Sequence, residues 1–169
     1  MIMGDARLYR DIVVVKGHFK YVCKCRLYDD GWAGWASSMF TRPLSTCSLL
    51  NDNWELVCHM ESFKMDTEDS LNFHLLLKLE GLDGRPFLPL NYLHISQPRL
   101  SLDTDHIVCF MAKIEFDDDK AWVIAVDMKN NRLREVAEFD SSRYSMLGFA
   151  YRHSRISKYH VGVVALLYR

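Results

Sequence analysis

Apolar and polar positions alternate most clearly near the N-terminus, where Phe19, Tyr21, Cys23, Cys25 and Leu27 are interleaved with Lys20, Val22, Lys24 and Arg26. Nine residues at period two predict a strand with the aromatic and cysteine set buried and the basic set wet. Ile12 to Val15 precedes it across Lys16-Gly17, a pair compatible with a tight turn, so the two runs are expected to form a hairpin. Trp32 to Phe40 and Trp54 to Met60 read as further strands. In the second of them Trp54, Leu56, Cys58 and Met60 fall on one side, and Glu55, Val57, His59 and Glu61 mostly on the other. Thr41 to Asn53, with Pro43 and several Ser, Thr, Asn and Asp residues, reads as a loop.

A second series of strands runs from Arg99 to Phe139. His106 to Phe116 and Ala121 to Met128 are apolar runs separated by Asp117-Asp118-Asp119-Lys120, which predicts a hairpin. Lys129-Asn130-Asn131-Arg132 then breaks the chain before a third strand, Leu133 to Phe139, and Arg99 to Leu102 supplies a short leading strand before the Asp103-Thr104-Asp105 turn. Four strands in about 40 residues is the size of one β-propeller blade. Leu71 to Leu79 fits a helical face and a strand alternation equally; strand or irregular structure is the expectation, leaving room for one short helix. Gly81 to Pro86 is a breaker cluster placed between two sheet units, and Pro89 and Pro98 are read as marking extended loops on either side of Tyr92 to Ile95. The reading is an all-β single domain over 1–169 made of two antiparallel units, about 8–80 and 90–160.

Composition narrows the function classes. The 169 residues are 49% hydrophobic and 25% charged, which excludes a disordered or low-complexity chain. Twenty-one Lys and Arg against 22 Asp and Glu leave a net charge of −1, no global field for nucleic acid or an anionic membrane. No apolar stretch approaches the ~20 residues needed to cross a bilayer as a helix. Cys23, Cys25, Cys47, Cys58 and Cys109 are an odd set without a secretory signal pattern, which points to free thiols in an intracellular, reducing compartment: cytoplasmic first, with mitochondrial and nuclear alternatives. Arg7, Arg10, Lys16, Lys20, Lys24 and Arg26 against Asp5 and Asp11 bias the first 26 residues toward a mitochondrial presequence, but acids within that stretch favour a strand with a basic wet face.

Chemistry-bearing residues are sparse. Cys23-x-Cys25 with Cys58-His59 is the tightest soft-ligand set, but small core residues are the favoured account of it, and no metal or cofactor is expected. Nucleophile elbow, zinc-protease, phosphate-loop and dinucleotide signatures are all lacking, so no catalytic residue is assigned. Asp117 to Asp119 reads as a turn, and Trp32 with Trp35 as core anchors. Arg152, Arg155, Lys158 and Tyr159 form a basic-aromatic cluster suited to an acidic or phosphorylated partner, with a solvated surface as the simpler account. Val161 to Tyr168 is an apolar run, and Val163 and Leu166 within it are expected to complete a sheet internally or to pair across a dimer.

The segments Arg10 to Val22 (RDIVVVKGHFKYV), Pro98 to Phe139 with its core AKIEFDDDKAWVIAVDMKNNRLREVAEF, and Phe149 to Tyr159 (FAYRHSRISKY) resemble a plant family of unknown function, number 1618, expanded in grasses. The resemblance covers about 60% of the chain and is weakest between Asp29 and Asn72. It implies a strand content like that of F-box-associated β-propeller proteins, with this chain similar to a shortened C-terminal portion, while the apolar ending from Val161 departs from the family's usual polar tail. It offers no catalytic residues to carry over. The leading expectation, which rests on unclosed sheet edges, is a non-enzymatic protein-interaction module whose partner is another protein or a second copy. The first alternative is the toxic or protective member of a reproductive-incompatibility pair, and the second a small hydrolase or metal enzyme. Exposed sheet edges, left by a chain too short to close a propeller, are the expected route of pairing.

Overall fold

The computed structural model describes residues 10–29, 32–46, 53–76, 79–80, 86–87, 89–114 and 120–140. Lys16 and Gly17 both take positive φ, at 49° and 77°, and this two-residue turn reverses β1 (Arg10–Val15) into β2 (His18–Asp29). β3 (Trp32–Pro43) and β4 (Glu55–Glu61) complete a four-stranded antiparallel meander in the order β1-β2-β3-β4. β3 therefore continues through Thr41 to Pro43, into what the sequence assigns to a loop. Two short strands, β5 (Leu79–Glu80) and β6 (Pro86–Phe87), pair across the Gly81–Arg85 breaker cluster. Among the described residues of the Leu71 to Leu79 segment the chain holds one 3₁₀ turn, Phe73–Leu75, and no longer helix.

The second meander contains β7 (His94–Leu100), β8 (Ile107–Lys113), β9 (Lys120–Asp127) and β10 (Arg132–Asp140), ordered β10-β9-β8-β7. Asp127 builds the last turn: its carboxylate accepts from the Lys129 and Asn130 N–H groups and from Asn130 Nδ2, and Asn131 takes the left-handed conformation. β7 begins five residues before the expected strand and passes through Pro98. Proline has no N–H for the ladder, and the chain accommodates it with a register shift between Ser96 and Arg99 at the sheet's edge. The fold is all-β, two antiparallel four-stranded sheets.

The structure overturns the expected facing of β2. Val22 is fully buried, whereas Phe19, Tyr21, Cys23 and Leu27 are half-exposed and Cys25 is exposed. The cause lies one strand away. Opposite residues in an antiparallel pair share a face, and Val22, Lys24 and Arg26 lie opposite Met39, Ser37 and Trp35 of β3. Trp35 and Met39 are among the largest fully buried side chains, so β3 fixes which face of sheet 1 turns inward. β4 differs as well. A bulge pairs Met39 with Cys58 but Phe40 with Leu56, leaving Val57 unpaired, so Cys58 and Met60 face inward while Trp54 and Leu56 face out.

One core cluster lies between the sheets. Val22, Trp35, Met39 and Met60 of sheet 1 meet Phe110, Trp122, Ile124, Val126 and Val136 of sheet 2, closed by Met65, Leu76, Leu90 and Leu93 from the connection. The Trp35 and Phe110 rings are 5.3 Å apart, and Trp35 Nε1–H donates to the Leu90 carbonyl at 2.8 Å. The sheets are unequal. In sheet 2, successive residues Ala121 to Val126 are all buried, so β9 is withdrawn from solvent on both faces, which explains its unbroken apolar sequence. Sheet 1 is buried on one face, and on the other only Ala36 and Arg42 are buried among the described residues.

Phe110→Ala is expected to cost about 3–5 kcal/mol, the ordinary cost of emptying an aromatic core site. Val14→Ala, at a residue of the open face, is expected to stay within about 0.5 kcal/mol. Urea unfolding of the two variants checks the assignment, and equal losses would contradict it.

Candidate interaction surface

The outward face of sheet 1 is ordered in rows across the strands. One row reads Ile12, Tyr21, Phe40 and Leu56; the row beside it reads Arg10, Cys23, Ser38 and His59. Tyr21 sits at the centre, its ring 6.1 Å from Phe40 and 5.9 Å from Trp54. Around this aromatic cluster Ile12, Val14 and Leu56 are 55%, 54% and 54% exposed, values at which an aliphatic side chain has most of its surface in water. A continuous apolar patch of this extent is uncommon on a monomer and characteristically marks an interaction site.

The face ends in a polar chain that sequence spacing does not show. Ser38 Oγ is hydrogen-bonded to His59 Nδ1 at 2.8 Å, His59 Nε2 lies 3.6 Å from Glu61 Oε1, and Glu61 is ion-paired with Lys64. These residues meet because β3 and β4 pair Ser38 with His59 and because His59 and Glu61 are two apart on one strand. A hydroxyl, an imidazole and a carboxylate in line can activate a nucleophile. Here the histidine is 45% exposed on a flat sheet, without the desolvation that gives such a relay its strength, and Lys64 holds the Glu61 carboxyl below its usual range.

The sheet edges are managed. Residues Asp66 and Leu71 bridge β10 in parallel, with Asp66 N–H donating to Asn131 O, Leu133 N–H to Asp66 O, Leu71 N–H to Arg134 O and Val136 N–H to Leu71 O. β1 approaches β7, and Asp11 ties them: its carboxylate pairs with Arg99 at 3.2 Å and accepts from the Leu100 N–H. β4 has nothing bridging its far side among the described residues, and it is bulged, a shape that discourages strand addition. The expectation of open edges thus gives way to an open face.

The basic residues of β2 point into the seam between the sheets. Lys20 pairs with Asp105 at 2.7 Å, holding that carboxyl below its usual range, and Arg26 donates to the His94 ring. Lys24, between them, has its ammonium pKa lowered to about 8, first by burial and then by Arg26. Their aliphatic stems cover apolar surface while the charged ends reach partners at the rim.

Among the described residues no group of three His, Cys, Asp or Glu side chains is gathered to hold a metal. Cys23 and Cys25 share the outward face, whereas Cys58 packs against the core and Cys109 is half-buried in β8; all four are free. Burial pushes the Cys58 thiol up to about 11 and the Cys109 thiol up to about 12, leaving both protonated and unreactive. Trp35 is a core anchor; the Trp32 side chain, the Asp117 to Asp119 turn and all six predicted contact residues, Arg152, Arg155, Lys158, Tyr159, Val163 and Leu166, lie outside the described residues. No family model, curated protein or solved structure matches the chain. Among the described residues no helix is long and apolar enough to cross a membrane.

Because folding lowers the Lys24 pKa from 10.5 to about 8, the unfolded chain holds that proton more tightly, and the charged lysine subtracts stability below pH 8. Lys24→Met is expected to be more stable than the wild type at pH 7 by on the order of 1 kcal/mol, a figure discounted for the solvent reaching the side chain. The advantage should shrink as pH rises from 8 toward 10.5. Denaturant unfolding of both proteins across this range tests it, since the difference cancels the titration of the cysteines; a gap independent of pH would refute the assignment.

Proposed function

We propose that this chain is a non-enzymatic protein-interaction module that works through the outward face of sheet 1, in a reducing compartment where its thiols stay free. The observation that carries the reading is the row Ile12, Tyr21, Phe40, Leu56, an aromatic centre flanked by aliphatic side chains more than half exposed. Aromatic centres with a polar rim have the composition of binding hot spots, and Arg10, His59 and Glu61 supply such a rim. Resemblance to the plant family 1618 agrees with a binding role. The blade-like meanders support it too, because a blade ordinarily covers both faces with neighbouring blades.

A second reading, acyl-group hydrolysis, is favoured by one observation, the Ser38–His59–Glu61 alignment. Its open setting ranks it second. A fluorophosphonate probe that labels the wild type but not Ser38→Ala would establish it in place of the binding role.

Ile12→Lys with Leu56→Lys places two ammonium groups on the patch, at positions already in water. Tagged wild type and this double variant, expressed in plant cells and compared by quantitative affinity purification, are expected to differ in the proteins they retain. Identical retained sets from two equally folded proteins would remove the reading.

A further inference from the structure

We propose that the outward face of sheet 1 is the contact of an isologous homodimer whose two-fold axis runs parallel to the strands, between β2 and β3; the inference rests on the binding role above and names its occupant. The register carries the argument. Such an axis lays β1 over β4 of the second copy and β2 over its β3, while keeping each row at its own level. In the central row Ile12 then meets Leu56 of the second copy, and Tyr21 meets its Phe40. In the next row Arg10 meets His59 of the second copy, one step along the strand from its Glu61. An isologous contact pairs a surface with itself, so its halves must complement each other across the axis. Here aliphatic falls on aliphatic, aromatic on aromatic, and the basic edge on the edge that carries the acid.

Two further features fit a second copy. The outward side chains of β2 between Phe19 and Leu27 carry no charge, and β3 adds one, Arg42, which is largely buried and falls over Phe19 of the second copy. The four strands span roughly 600 Å² in projection at ordinary strand spacings, and side-chain relief raises this toward the ~800 Å² that a stable complex takes from each partner. Twisted sheets stack face to face with strands about 30° apart, which a two-fold axis along the mean strand direction generates naturally.

Light scattering on the purified wild type from 1 to 100 µM is expected to show a dimer, and the Ile12→Lys, Leu56→Lys variant a monomer with unchanged circular dichroism. Arg10→Glu and Glu61→Arg should each weaken the dimer by about tenfold, and the double exchange should recover most of that loss. Alkylation of Cys25 should slow as concentration rises in the wild type only. A monomer at 100 µM overturns the inference while leaving the binding role standing, provided the affinity purification still separates wild type from variant. A dimer that survives both lysines overturns the choice of face, and a double exchange without recovery overturns the axis.

Discussion

Trp35 is the residue on which the arrangement turns. Its indole lies against Phe110 of the opposite sheet and donates its N–H to the Leu90 carbonyl, so it joins both sheets and the connection between them. A ring of this size with a satisfied polar atom has one orientation available. Because side chains alternate along a strand, fixing Trp35 inward also fixes Ser37 and Met39 inward and turns Ser38 and Phe40 outward, together with the small Ala36, which its neighbours cover completely. Pairing passes that choice to β2 and from β2 to β1, so that the exposure of Ile12 and Val14 follows from a contact two strands away.

This transmission explains which parts of the fold were legible in the sequence. Turn chemistry is local: Lys16-Gly17 and the Asp127 to Asn131 turn announce their hairpins, and the AWVIAV run announces a strand buried on both sides. Facing is not local. Along β2 the aromatic and cysteine set is the more apolar of the two, and the period-two rule assigns it to the interior. The inward set contains only one apolar residue, Val22, and it wins because β3 carries the larger buried side chains. At β4 one unpaired residue, Val57, reverses the facing of everything before it, and a bulge leaves no mark in an alternation short enough to read either way. The Ser38–His59–Glu61 alignment was hidden for the same reason, since it exists only once the register is known. The contact residues expected in 152–166 lie beyond the described chain, so the structure shifts attention from a sequence cluster to a sheet face.

Turning the charged set inward is costly, and the seam shows how the cost is contained. Lys20 finds Asp105 and Arg26 finds the His94 ring, while Lys24 has its charge disfavoured by burial and by Arg26. Burying Phe19, Tyr21 and Leu27 instead would spare that cost locally. It would also send Trp35, Met39 and Met60 into water, and each large apolar side chain left exposed forfeits about 1.5–3 kcal/mol of transfer free energy. The lysine stems recover part of the difference by lying along apolar surface with their charged ends at the rim.

The same accounting leaves an imbalance between the sheets among the described residues. In sheet 2 the central strand β9 is buried on both faces, whereas sheet 1 is covered mainly on one. Strand edges leave little room for another chain, because β10 is bridged by Asp66 and Leu71, β1 abuts β7, and β4 is bulged. What sheet 1 leaves uncovered is chiefly an apolar face rather than a length of strand edge, and that distinction bears on how the molecule associates. Strand addition at an edge is driven by backbone pairing and tolerates many sequences, whereas stacking on a face is driven by side-chain burial and depends on the order of residues across it. With Ile12, Tyr21, Phe40 and Leu56 level in one row, selectivity resides in that order. A partner must present a matching row at sheet spacing, and an aliphatic-aromatic-aromatic-aliphatic row, read from either end, matches itself.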